Sequence, residues 1–382
     1  MNLIFVTNIL NHHQYALCEA FKKHFEDFKL ITTEKTQGIG YQTAKDADFV
    51  LHYENGVNKE SIEKLICDAD AVIFGACPNS LIEMRMRENK ISFLYSERFF
   101  KKGTWRRFIP STRKVLEDRI AKYRNKNMYV LCASAYLPYD LNLLGFPVEK
   151  CFKWGYFPDT KEYDIEALLN QKNSTTHKIL WVGRMLGWKH PDDAVGLAER
   201  LKKAGIDFEL NLVGDGILRK KLEDTVSDKG LSNCVHILGS KTPEEVRQYM
   251  EQASIFLFTS DRNEGWGAVL NEAMNSGCAV VTSHAIGSVP FLINDGENGL
   301  IYQSGDINDL CAKVIYLIDN AEKRAELGNK AYSTIADSWN AETAAERFKQ
   351  LVEAISGKEK TDLFQEGRCS KAEVLKDNRR LR

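Results

Sequence analysis

Apolar, β-rich runs alternate with amphipathic segments along the whole 382-residue chain. That alternation admits few folds, because it is the pattern of parallel sheets covered by helices. The first half offers strands at 3–7, 28–33, 71–75, 91–96 and 129–133, with helices such as 15–25 and 111–123 between them. The second half repeats the scheme with strands at 178–182, 208–213, 235–238 and 253–260, and helices at 191–204, 218–229, 243–252 and 268–275. A single core stops growing at roughly 250–300 residues, so two doubly wound α/β domains are expected. The predicted boundaries are 1–160 for the first domain, 161–176 for a linker and 177–340 for the second domain. A terminal helix follows at 341–356, then a mobile mixed-charge tail at 357–382 ending in Arg379-Arg380-Leu381-Arg382.

Composition removes several function classes. No window approaches the roughly 20 apolar residues of a membrane span, and the start, Met1-Asn2-Leu3-Ile4-Phe5-Val6-Thr7-Asn8, reads as a first strand rather than a secretory signal, so a cytoplasmic chain is expected. The nine cysteines include no Cys-x-x-Cys pair and read as reduced core residues. A net charge of -1 gives no drive toward nucleic acid.

Chemistry concentrates in the second half. The run Glu264-Gly265-Trp266-Gly267-Ala268-Val269-Leu270-Asn271-Glu272 follows an apolar strand and leads into a short helix. Ligands of open α/β sheets bind at the carboxyl ends of strands, which is where Glu264 stands. The glycines allow close backbone approach, and amides at a helix start favour an anion such as a diphosphate. A carboxylate beside an anion site suits hydrogen bonds to sugar hydroxyls. In Trp181-Val182-Gly183-Arg184-Met185-Leu186-Gly187-Trp188-Lys189-His190 another strand ends, and Arg184 and Lys189 lie five positions apart. A planar fork and a compact point charge suit the two phosphates of one diphosphate, the alternative being a solvated basic turn. Val213-Gly214-Asp215-Gly216 is either backbone packed against a nucleotide or a plain connection. With no Gly-x-Gly-x-x-Gly after the first strand, no Walker lysine loop and no Asp-x-Asp pair after a strand, metal-independent chemistry without a cofactor is expected.

These elements, followed by Gly287-Ser288-Val289-Pro290 and Asp295-Gly296-Glu297-Asn298-Gly299-Leu300, come in an order that resembles glycosyltransferase family 4. The resemblance implies a GT-B fold: two Rossmann-like domains facing across a cleft, with C-terminal helices crossing back. It implies retaining transfer from a nucleotide-sugar donor, with Arg184 and Lys189 on the diphosphate, Glu264 positioning the donor sugar and Glu272 on the ribose. Gly183, Gly214, Asp215 and the amides of Trp266, Gly267 and Ala268 would complete the donor site. The implied enzyme is a hexosyltransferase of bacterial-type surface polysaccharide synthesis, using a glycan or polyprenyl-linked acceptor, with uridine diphosphate sugars favoured as donors. Two places depart from the family pattern: the loop 8–14 lacks paired glycines, and Phe291 stands where glutamate often follows Pro290.

The first half is less legible. His12 and His13 open a helix after the first strand and either reach the donor phosphate or the acceptor or cap that helix. Glu97, at a strand's end, is either an acceptor-side base or a solvated carboxylate. Residues 98–119 carry a basic and aromatic run, Arg98-Phe99-Phe100-Lys101-Lys102-Gly103-Thr104-Trp105-Arg106-Arg107-Phe108 with Arg113, Lys114 and Arg119. That run either presses on the anionic inner face of the cell membrane or packs its aromatics on the acceptor side. Two rival functions share this architecture, a nucleotide-sugar epimerase and an inactive nucleotide-sugar-binding subunit. The donor, the acceptor and the oligomeric state are left open by the residues.

Overall fold

A computed structural model describes residues 1–34, 47–53, 58–173, 176–357 and 363–376; the basic end 379–382 and positions 174 and 175 of the expected linker lie outside the described residues. The chain forms two compact units, Met1–Asp159 with Trp339–Lys376, and Thr160–Ser338.

The first unit is built on seven parallel strands: β1 (Asn2–Thr7), β2 (Asp27–Thr32), β3 (Val50–His52), β4 (Ala71–Phe74), β5 (Ser92–Ser96), β6 (Met128–Cys132) and β7 (Cys151–Lys153). Their order is β3-β2-β1-β4-β5-β6-β7, so the winding reverses between β1 and β4. The central strands are apolar on both faces, as sheets covered on both sides require; all of β4 is buried. The sequence reading found five of the seven. The two it missed, β3 and β7, are three-residue edge strands, too short to carry a periodic signal.

The second unit holds six parallel strands: β8 (His177–Val182), β9 (Phe208–Val213), β10 (Val235–Gly239), β11 (Ile255–Phe258), β12 (Ala279–Ser283) and β13 (Leu300–Tyr302). Their order is β10-β9-β8-β11-β12-β13, reversing between β8 and β11. A ligand crevice is expected at such a reversal, outside the carboxyl ends of the two strands.

Two segments read as connector and tail are packed structure. Within 161–176, Ile165–Lys172 is a helix of the second unit, its start capped by the Asp164 side chain, which accepts from the Ala167 amide at 3.1 Å. At its other end the buried Lys172 ammonium donates to the carbonyls of Met250, Ala253 and Ser276 at 2.7, 2.8 and 2.6 Å. These carbonyls end two other helices, where a cation is favoured.

After the second unit the chain returns to the first. The helix Ala341–Ser356 places Phe348 among Phe21, Phe93 and Trp154, with ring centroids 5.6, 4.9 and 5.7 Å away. Beyond it, the described part of the expected mobile tail docks along β7. The Lys153 amide donates to the Ser370 carbonyl at 2.8 Å, and the amides of Cys369 and Ala372 donate to the carbonyls of Lys153 and Cys151 at 2.7 and 3.0 Å. Burial of Cys369 and Ala372 accounts for the docking that a mixed-charge composition hides.

All nine cysteines are unpaired, six of them buried. No helix among the described residues is long and apolar enough to cross a membrane. Phe348 is fully buried, so Phe348→Ala should destabilise the first unit by roughly 3–5 kcal/mol. A thermal-unfolding profile in which neither transition moves would contradict this packing.

Candidate functional site

The site of the second unit begins where β8 and β11 end. After β8 the chain makes a tight turn, Gly187–Lys189, and His190 adopts a left-handed φ of 49° before the helix Pro191–Lys203 starts. Thr259, just past β11, holds that bend: its hydroxyl donates toward the carbonyls of Lys189 and His190 at 2.7 and 3.0 Å and accepts from the Trp181 indole at 2.8 Å. The Asp261 amide donates to the Trp188 carbonyl at 3.0 Å, joining the two loops a second time. The clamp brings the Lys189 ammonium onto the Glu264 carboxylate. Side-chain exposure is 12% for Lys189 and 9% for Glu264, so the two charges are shielded from water and compensate one another. The Ser260 hydroxyl donates to the same carboxylate oxygen at 3.0 Å.

Glycine is needed where backbones meet. Gly214 has φ 134°, and a Cβ there would run into the Gly183 carbonyl; at Gly216, φ 157°, it would lie 2.6 Å from the Met185 carbonyl oxygen. The Met185 amide donates to the Asp215 carbonyl at 2.8 Å, so the loops after β8 and β9 form one surface. Gly267, φ 79°, leaves no room for a side chain beside the Phe258 ring.

The structure sorts the sequence candidates. Lys189 and Glu264 are brought together, and Arg184 stands exposed on the same loop with no ion pair among the described residues. The Asp215 carboxylate accepts from Arg219 at 2.8 Å and from the Gly216 amide at 2.7 Å, bonds that hold its pKa below the usual carboxylate range. Asp215 therefore shapes its loop. The Trp266 indole is core, donating to Asn271 at 2.9 Å with its ring 6.3 Å from that of Phe291. Gly267 and Ala268 lead into the helix Val269–Asn275, which carries Glu272. Burial pushes the Glu272 carboxyl up to about 6, against the pull of the Arg247 charge. Sequence reasoning missed Thr259, Ser260 and His190; two hydroxyls in a row after an apolar strand were the available signal. His190, Asp192 and Asp193 bring ligand-type atoms within 4.8 Å of one another, although the His190 ring also meets Asp261 at 3.4 Å.

In the first unit the carboxyl ends of β1, β4 and β5 surround a cavity of about 550 Å³ lined by Asn8, His13, Ala76, Glu97, Lys101, Arg119 and Tyr156, among others. Glu97 is engaged rather than solvated: one oxygen takes Lys101 at 2.5 Å and the other the Tyr156 hydroxyl at 2.8 Å. His13 lines the cavity with its ring 3.6 Å from that of His12; burial, with a further push from His12, lowers its pKa to about 3. The run 98–119 splits in two. Arg98 and Phe100 point inward, Arg98 meeting Asp140 at 3.4 Å, and Arg119 turns into the cavity. Trp105, Phe108 and Val115 face outward, 55%, 73% and 61% exposed, with Arg107 stacked 4.4 Å over Phe108.

Residues 166–334 match the family model described as glycosyl transferases group 1. The chain is 25% identical to the amylovoran biosynthesis glycosyltransferase AmsK of Erwinia amylovora, over 85% of this chain and 78% of that protein. It is 39% identical to an uncharacterized glycosyltransferase of Methanocaldococcus jannaschii over 32% of this chain, spanning 34% of that relative's length. Anabaena HepE, solved in complex with UDP, has the same fold, with a TM-score of 0.69 at 16% identity, covering 94% of this chain and 100% of that one. The two Rossmann-like units thus have the GT-B fold.

Gly205 and Gly214 both have positive φ, but only Gly214 meets backbone. Gly205→Ala should cost roughly 1–2 kcal/mol for its left-handed conformation, whereas Gly214→Ala, which must also push the loops after β8 and β9 away from each other, should cost about 3 kcal/mol or more. Equal losses in thermal unfolding would show that the loops are not in contact.

Proposed function

We propose, from the match of residues 166–334 to the model described as glycosyl transferases group 1, that this chain is a glycosyltransferase that moves one sugar with retention of configuration from a nucleotide diphosphate sugar to a glycan or lipid-linked acceptor, without a metal. The observation that carries this reading is the Lys189–Glu264 pair at the reversal of the second sheet. Without ligand, Glu264 occupies Lys189. A diphosphate carries more charge and more acceptor atoms, so it draws the ammonium away and leaves the carboxylate to accept from hydroxyls of the donor sugar. Lys189, Arg184 and the backbone amides then oppose the negative charge that grows on the departing diphosphate. Glu272 takes the ribose hydroxyls. The departing phosphate itself helps remove the acceptor proton on the same face, so Glu264 positions the sugar and forms no covalent intermediate. Uridine as the base is supported by the fold neighbour solved with UDP, and polysaccharide synthesis by the amylovoran relative's name.

In this reading the enzyme works in the cytoplasm, at the inner face of the cell membrane. Trp105, Phe108 and Val115 enter the lipid interface, and Lys102, Arg106, Arg107, Arg113 and Lys114 meet anionic head groups. This placement agrees with a lipid-linked acceptor.

Lys189→Gln and Glu264→Gln each keep a hydrogen-bonding side chain in place of a charge; each should lower the melting temperature, because one shielded charge is left without its partner, and should lower turnover by roughly 100-fold or more when assayed well below that temperature. Turnover of the native enzyme should survive a chelator; full activity in either variant, or a strict need for divalent metal, would sink the mechanism. Vesicles containing phosphatidylglycerol should sediment the full chain and neutral phosphatidylcholine vesicles should not. Retention of that binding in a Trp105→Ser, Phe108→Ser double variant would refute the membrane surface.

A further inference from the structure

The cavity of the first unit has one positive charge left over. Of the three cations on its wall, Lys101 is paired with Glu97 and Arg98 with Asp140. Among the described residues Arg119 meets only neutral acceptors. Its Nη1 donates to the Cys77 carbonyl at 2.6 Å and to Asn79 Oδ1 at 2.9 Å, and its Nη2 donates to the Gly75 carbonyl. Those oxygens orient the guanidinium without neutralising it, and they leave the Nε–H, and an Nη2–H held only weakly by Cys77 Sγ at 3.9 Å, for a stronger acceptor. The fork is also half-withdrawn from water, where an uncompensated charge is costly. A rigidly held, un-neutralised arginine beside about 550 Å³ of open space is arranged to take a phosphate or a carboxylate. The helix His12–His24 starts at the same wall and adds potential of the same sign.

We infer that this cavity receives an anionic group of the acceptor, a phosphate or a carboxylate, with Arg119 as the residue that recognises it. Naming the ligand an acceptor rests on the transferase reading; the anion site does not.

Calorimetric titration of the full chain tests this with uridine diphosphate at saturation, so that the cations of the second unit are occupied. The probes are glucose 1-phosphate, glucuronate and methyl glucoside. At least one anionic probe should bind about tenfold or more tightly than methyl glucoside, and which one does so identifies the group. Arg119→Gln should abolish the preference. So should Ala76→Asp, which puts a carboxylate on the same wall from an exposed position and leaves the Arg119 bonds intact. Lys64→Gln, on the exposed face of the helix Lys59–Asp68, should change nothing. Equal binding of all three probes, or an intact preference in Ala76→Asp, overturns the inference. A chain that binds no uridine diphosphate yet keeps Arg119-dependent anion binding would overturn the donor reading and leave the anion site standing.

Discussion

The second unit is organised around one shielded ion pair, Lys189 with Glu264. Two charges withdrawn from water must be held together, because losing either partner of a buried pair costs roughly 3–5 kcal/mol. Holding them together requires two loops, from β8 and β11, to stay in register. Thr259 and Asp261 supply that register through hydrogen bonds to the carbonyls of Trp188, Lys189 and His190. The left-handed backbone at His190 is sustained by the same bonds, and the glycines at 214, 216 and 267 let neighbouring segments approach closely enough to support the loops. The pair is therefore both a structural keystone and a reserve of charge that a stronger anion can claim.

The first unit has the same winding and a reversal at the equivalent place, between β1 and β4, but arranges its charges differently. Its carboxylates Glu97 and Asp140 each neutralise a cation, and the remaining arginine is fastened to carbonyls. One topology thus presents a compensated pair in one unit and a net positive pocket in the other. Such a difference suits two substrates that are recognised separately.

Much of this was legible in the sequence, and the boundary is physical. The alternation of apolar runs gave both sheets, because buried parallel strands leave continuous apolar segments such as 71–74 and 255–258. Glu264, Lys189 and the glycines could be read because each lies at a strand end beside a turn signal. Arg119, Thr259 and Lys172 could not, since their roles come from partners 40 or more positions away: Cys77 for Arg119, Lys189 for Thr259 and Met250 for Lys172. The docking of residues 363–376 was hidden for a similar reason, as a few buried side chains and backbone bonds to β7 outweigh a mixed-charge composition.

The most direct test is the affinity of uridine diphosphate, without sugar, for the native chain, Lys189→Gln and Glu264→Gln by titration calorimetry. If the diphosphate competes with Glu264 for Lys189, the Glu264→Gln variant should bind the nucleotide more tightly than the native chain, by roughly tenfold, and Lys189→Gln should bind it more weakly. Loss of affinity in both variants alike would contradict that competition, and with it the account of how this site works.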